Sequence, residues 1–515
     1  MNCTMNDAQL TVDNNQCTLD NAQRMTDNAQ HTPDNGEGTT GSGQPAVDSG
    51  LPTVASGQPT ATTGQFTVAS DQPVVVSGRQ PAAGAPTLDR SVQPPLVRPQ
   101  QIDVQQPERS QMPNGVPLVV LRAGESEVTR IDLLIDGGRY RQTAPLQALF
   151  TNRMLREGTR QFTSQQIAEK LDYYGAWLEL SISAEHALIT LYSLNKYLPQ
   201  TLPVLESMVK EPTFPEQELR TVVDSNARRF LVNCSRVDFL AHRALLRTLF
   251  GPEHPCGRLA THEDYSRITP DLLRQCFARY YHSRNLTVYL SGRVTDSCLV
   301  AVERILGSTP FGEGFLVPEQ HDYTPHTSQA RRTFVERADA MQSAVRMGLL
   351  TIPRRHPDFL RLRVLITLLG GYFGSRLMSN IREDKGYTYG ITADLVPHPG
   401  GSMLVIGSET TNEWVEPLIA EVYHEVDRLH NDLVPEAELT MVQNYMTGEM
   451  CRNYESPLSL ADAWLYVQMS DLPDTYFADA LQAVRDITPE EIRHLARTYL
   501  HREQLREVVA GRKIS

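Results

Sequence analysis

Past Asn114-Gly115, a turn signal, the apolar positions of the chain fall into short alternating runs separated by longer helical ones. Val116 to Leu121 reads as a strand, and Ile131, Leu133 and Ile135 alternate in a second that ends at Gly137-Gly138. Helices are predicted over Ala144 to Arg156 and Ser164 to Tyr174, the latter capped by Ser164 or Thr163, whose hydroxyl can take a free N–H of the first turn. Trp177 to Ser183 and Ala187 to Ser193 alternate as a hairpin. Helical patterns then occupy Tyr197 to Val209 and Pro215 to Leu249, and a helix opening at Thr269-Pro270 leads into a strand, Asn285 to Leu290.

The second half repeats this plan. Ile268-Thr269-Pro270, Arg274 and Tyr280 recur as Ile487-Thr488-Pro489, Arg493 and Tyr499, and Leu286, Val288 and Gly292 meet Leu505, Glu507 and Gly511, all at an offset of 219. Thr as N-cap with Pro at the first helical position is a helix-start signature, so the match has a physical reason. Val345, Met347 and Leu349 alternate as Ile131, Leu133 and Ile135 do. The expected fold is α+β: two similar domains, each a mainly antiparallel sheet covered by helices. The expected divisions are a leader over 1–100, an N-terminal domain over 101–310, a linker over 311–326 rich in Pro and Gly, and a C-terminal domain over 327–515.

The leader changes the picture of the charge and the compartment. It is rich in Asn, Gln, Gly, Ser, Thr and Pro, with Phe66 its one aromatic residue, and cannot bury enough apolar surface to fold alone. A seven-residue period runs through it, from Asp13-Asn14 and Asp20-Asn21 to Gly57-Gln58-Pro59 and Gly64-Gln65-Phe66, and its recurring Pro excludes a coiled coil. The net charge of -13 and the absence of any basic patch argue against nucleic acid. The 7 cysteines are scattered with no C-x-x-C spacing, which fits a reducing compartment. With no run of 18 apolar residues and no apolar signal at the N-terminus, the expectation is a cytoplasmic protein without membrane insertion.

One stretch of the second half presents groups at a surface: Leu368-Leu369-Gly370-Gly371-Tyr372-Phe373-Gly374-Ser375-Arg376-Leu377, then Arg382, Gly386, Tyr387 and Tyr389. It reads as an apolar helix end, a glycine loop permitting close backbone approach, a short helix, and a turn into a strand. In order and spacing it resembles the glycine loop and Arg/Tyr pair of the pitrilysin/insulinase zinc metallopeptidases, whose zinc helix reads H-x-x-E-H. The resemblance spans Gln101 to the C-terminus. It implies that Arg382 and Tyr389 act at a catalytic centre, the Arg holding a peptide carbonyl and the Tyr donating to the oxyanion, with Gly370, Gly371, Phe373 and Tyr387 at the substrate. The competing reading of the same residues pairs Arg382 with Glu383 or Asp384 and makes Tyr387 and Tyr389 ordinary strand residues.

The zinc motif itself is absent. Counting back from Gly158-Thr159 places its positions at Leu149, Asn152 and Arg153, and the family's distal Glu falls on or near Arg229. Leucine has no lone pair for zinc, arginine repels the ion, and asparagine cannot take the proton of a metal-bound water. No replacement is visible. His424 and His430 are six apart and point to different helix faces, and His186, His254 and His262 have no ligand-type partner at i, i+4. His254-Pro255-Cys256-Gly257-Arg258 resembles a family loop and reads as structural.

The resemblance therefore implies a non-catalytic subunit, with no cofactor of its own and zinc in a partner chain bearing H-x-x-E-H, similar to the complementing subunits of two-chain processing peptidases. The substrate would be a peptide or unfolded segment, bound extended along a sheet edge. A peptide-binding or scaffold protein of the same fold, with no part in catalysis, is the alternative. A self-sufficient metallopeptidase is disfavoured because catalytic zinc needs three protein ligands.

Overall fold

The structure, a computed structural model, describes residues 101–314 and 324–513, with Ser91 and Pro99 besides. The heptapeptide leader and the middle of the linker lie outside the described residues.

The first half builds a six-stranded sheet from β1 (Glu108–Gln111), β2 (Pro117–Arg122), β3 (Val128–Ile135), β4 (Trp177–Ile182), β5 (Ala187–Leu194) and β6 (Leu286–Gly292), in the order β1-β2-β6-β3-β5-β4. Only β2 and β6 run parallel. The second half builds β7 (Arg332–Glu336), β8 (Gln342–Thr351), β9 (Thr388–His398), β10 (Gly401–Thr411) and β11 (Arg506–Gly511) in the order β7-β11-β8-β10-β9, with β7 and β11 parallel. Removing β1 leaves the same strand order and the same single parallel pair in both sheets. The internal repeat of the sequence is thus a repeat of topology. The exposed and polar β1 has no apolar alternation to announce it.

The helices that matter for function are α1 (Gln147–Arg153), α2 (Ser164–Tyr173), α3 (Leu198–Lys210), α4 (Glu216–Asn233), α5 (Val237–Phe250), α6 (Pro270–Tyr280), α7 (Phe359–Gly370), α8 (Val415–Asn431), α9 (Glu436–Glu455), α10 (Pro457–Met469) and α11 (Pro489–Tyr499). Thr163 caps α2 with Gln166 closing a capping box, and Thr269 and Thr488 cap the repeated helices α6 and α11, each with Pro at its start. The pattern over Pro215 to Leu249 resolves into two helices, because the chain turns extended at Arg236 before Val237 opens α5, with Asp238 in its first turn. The pattern over Ala144 to Arg156 shortens to α1 and one tighter turn.

Each half lends a helix to the other. Ala241, Leu245 and Leu249 of α5 pack on Ala344, Val405, Val508 and Ala510 of the second sheet. Leu465 of α10 packs on Val119, Leu134 and Tyr289 of the first sheet. Beside that contact Arg130 is buried, its Nε donating to both oxygens of the buried Asp132 and its Nη1 to Asp462 of α10 at 2.6 Å. Burial raises the Asp132 carboxyl and Arg130 opposes the shift, so the pair is sustained by mutual neutralisation.

Candidate functional site

The positions that would hold zinc are built into the fold in another way. Asn152 is 1% exposed on α1. Its Nδ2 donates to Ser181 O at 2.8 Å and Leu188 O at 3.2 Å, across the β4–β5 hairpin, and its Oδ1 accepts from Tyr281 Oη at 3.1 Å. The side chain faces the sheet it ties down. Arg153 Nη1 donates to Asn226 Oδ1 of α4 at 2.5 Å, and Asn226 Nδ2 donates on to Val222 O. Leu149 packs against the first-half core. A cation placed here would meet an arginine, an amide already committed to two carbonyls and an apolar side chain, so these residues do not fit zinc. The α4 residue facing Arg153 is Asn226. Arg229 sits one turn on, at i+3 on the same helix face, which is why spacing alone could not choose between them. Among the described residues no group of three or more His, Cys, Asp or Glu side chains is placed to hold a metal ion.

In the second half the equivalent helix, α7, ends in the glycine loop. A Cβ on Gly370 would lie 2.6 Å from Ala393 of β9, and one on Gly371 2.6 Å from Thr367 of the preceding turn. The close approach that these glycines permit is therefore of helix to strand. Tyr372 stacks on Tyr445, while Phe373 is 62% exposed. Arg376 is buried and forms a two-pronged pair with Glu438 at the start of α9. It fixes the end of the loop.

Arg382 lies on a turn of π-helix, Met378–Asp384, that α8 holds in place: Asn380 Nδ2 donates to Glu425 at 2.7 Å and Glu421 at 3.1 Å, and Lys385 Nζ lies 2.7 Å from Glu421. The Arg382 guanidinium sits 4.6 Å above the Phe373 ring. Among the described residues it has no carboxylate partner, Glu383 and Asp384 included.

Tyr389 is 91% exposed, and its conformation has a cause. Between the pairs Thr388↔Thr410 and Ile391↔Ser408 the register shifts, so that Tyr389 and Gly390 stand opposite Glu409 alone. This bulge turns the Tyr389 side chain outward. Thr388 Oγ1 donates to Glu409 O and Ser408 Oγ to Gly390 O, which satisfies the carbonyls that the bulge takes out of the ladder. Tyr387, two residues earlier, is half-buried and stacks on Trp414 at 4.7 Å. Among the described residues β9 is the last strand of the sheet, leaving an open strand edge beside Tyr389.

Cys256 and His398 join a structural network. Cys256 Sγ lies 2.7 Å from Tyr140 Oη and 3.2 Å from His398 Nδ1, and burial pushes its thiol up to about 12. Glu425, next to His424, is buried and bonded to Asn380 and Arg428. The link from Cys256 to His398 joins the two halves, and no sequence pattern pointed to it.

A duplicated α+β chain with a ligand-less zinc helix in one half and a glycine loop with Arg and Tyr in the other belongs to the metallopeptidase-like class. The comparisons agree: residues 118–253 match the family described as Insulinase (Peptidase family M16), and residues 267–446 match Peptidase M16 inactive domain. The chain belongs to the insulinase, or M16, family and lacks its zinc motif. It is 25% identical to a Bacillus subtilis protein named Uncharacterized zinc protease YmxG, over 67% of this chain and 83% of that one. It is 29% identical to the Helicobacter pylori Non-peptidase homolog YmxG, over 46% and 55%, and 27% identical to Mitochondrial-processing peptidase subunit alpha-1 of Dictyostelium discoideum, over 40% and 32%. In structure it is similar to a peptidase M16 inactive domain from Pseudomonas fluorescens, with TM-score 0.72 and 23% identity, covering 80% of this chain and 99% of the other.

Proposed function

We propose that the chain, two peptidase-like domains joined at residues 311–326, is a non-catalytic subunit of a heteromeric zinc endopeptidase. It contributes Arg382 and Tyr389 to the active site of a partner chain that carries the zinc and the H-x-x-E-H helix. The observation that carries this reading is the contrast between the two sites. Asn152 and Arg153 are consumed by internal hydrogen bonds, whereas Arg382 and Tyr389 stand without polar partners among the described residues, at the open edge of β9. A guanidinium and a phenol held outward are the groups that stabilise a peptide carbonyl as it gains charge. The open edge suits an extended peptide, which pairs its main chain with a strand. The similarity to a processing-peptidase subunit supports the two-chain arrangement.

The test is purification from the source cell with mass spectrometry of the bound chains and zinc analysis, followed by reconstitution. A stoichiometric H-x-x-E-H partner with zinc, and activity that falls about 10²- to 10³-fold in Arg382→Ala or Tyr389→Phe, is the expected result. Full activity of the complex with both substitutions would remove these residues from the mechanism. A second reading is favoured by the name of the Helicobacter relative: a peptide-binding or scaffold protein without catalysis. A zinc-free assembly with no peptidase partner would establish it.

A further inference from the structure

Where the two halves meet, a small cleft of about 40 Å³, open to solvent on one side, lies beside Leu149. Its placement starts from Gly137-Gly138. Gly138 N, Arg139 N and Tyr140 N donate to Glu185 O, Ser183 O and Ala184 O on the β4–β5 turn, and a Cβ on Gly138 would come within 2.3 Å of the Glu185 carbonyl carbon. Only glycine permits this contact, which fixes Arg139 against the hairpin. The Arg139 Nη2 is buried with no acceptor, and Arg139 has no ion pair among the described residues. Arg258 stands exposed at the mouth, also without an ion pair among the described residues. Among the described residues no Asp or Glu lines the cleft. A guanidinium nitrogen held out of water without an acceptor is costly, and an anion supplied from outside would relieve that cost.

The rest of the lining narrows the ligand. Leu146, Leu149, Leu246 and Leu259 give an apolar wall. His398 closes the cleft from the second half, buried, with its Nε2 unpartnered. Burial first, and the nearby His254 and Arg139, hold the His398 ring at about 3, so it is neutral near pH 7. In the tautomer whose Nδ1 accepts from the Cys256 thiol, Nε2 carries the proton and is a second donor. We infer that this cleft binds a carboxylate attached to an apolar body, the carboxylate on Arg139 and Arg258 and the body against the leucines. A free small acid and the C-terminus of a peptide ending in an apolar residue share this chemistry. The leucine at the first zinc position becomes part of the wall of a different site.

Calorimetric titration of the full chain tests it, with N-acetyl-leucine, N-acetyl-leucine amide, and a hexapeptide ending in leucine with free or amidated C-terminus. The expected result is 1:1 binding of a free acid, and loss of about tenfold or more both in its amide and in Arg139→Gln. Binding of N-acetyl-leucine alone assigns a small acid, and binding of the free-acid peptide assigns a chain terminus. Equal affinity for acid and amide, or no binding of either acid, overturns the inference. Should Arg139→Gln fail to fold, Arg258→Gln at the exposed mouth decides: acid affinity indifferent both to that substitution and to added salt is the overturning result.

Discussion

Replacing Asn152 by alanine distinguishes a structural asparagine from a relic of catalysis still facing a cleft. The substitution removes three hydrogen bonds, to Ser181 O, Leu188 O and Tyr281 Oη, in a site that is 1% exposed. Each is worth roughly 0.5–1.5 kcal/mol net, and leaving the buried Tyr281 hydroxyl unpaired adds to the loss, which gives about 3 kcal/mol. With an unfolding entropy of about 2.1 cal/mol/K per residue over roughly 400 folded residues, that lowers the melting temperature by about 4 °C. Scanning calorimetry at pH 7 reads the shift. Asn152→Asp should melt lower than Asn152→Ala, because it sets a carboxylate against two carbonyl oxygens and has no donor for them. A melting temperature for Asn152→Ala within about 1 °C of the parent, or an aspartate variant more stable than the alanine one, would show that the side chain is not the tie described.

Arg382→Ala and Tyr389→Phe should each change stability by no more than about 1 kcal/mol, since one loses an exposed cation–π contact and the other an exposed hydroxyl; a melting shift of several degrees in either would mean a structural role. Burial raises Asp394 to about 6, above its ordinary 3.8, so the stability tied to its protonated form is present below about pH 4 and is lost as pH rises through 6. Asp394→Asn should therefore raise the melting temperature at pH 7.5 and leave it unchanged near pH 3.5, and a fall at pH 7.5 would refute the assignment. His398 has the opposite sense: its pKa is lowered to about 3, so its contribution is present above about 6.5 and is lost progressively on acidification. Gly138→Ala should destabilise severely, because its Cβ would strike backbone, whereas Gly390→Ala, with open space around it, should be close to neutral; equal melting temperatures would contradict the backbone described.

The duplication, the antiparallel sheets, the capped helices at Thr269 and Thr488 and the loss of the zinc ligands were all legible in sequence. Each rests on local chemistry: alternation fixes a strand face, a Thr-Pro pair fixes a helix start, and the identity of a side chain decides whether it can hold a metal. The strand β1 was not legible, because its four residues are polar and exposed and show no apolar alternation.

What the chain order could not determine is what each side chain meets. Whether Arg382 is paired or free depends on the π-helix that α8 holds, and the exposure of Tyr389 depends on a bulge set by β10, a strand that follows it. Asn226 meets Arg153 only because α4 lies against α1, and Arg139, Leu246 and His398 line one cleft only because the two halves pack together there. Sequence alone determined which groups are present and which chemistry is lost, since these are properties of single residues and short spacings. Tertiary structure decided which groups are consumed by internal bonds and which stay available, since that depends on contacts between residues far apart in the chain.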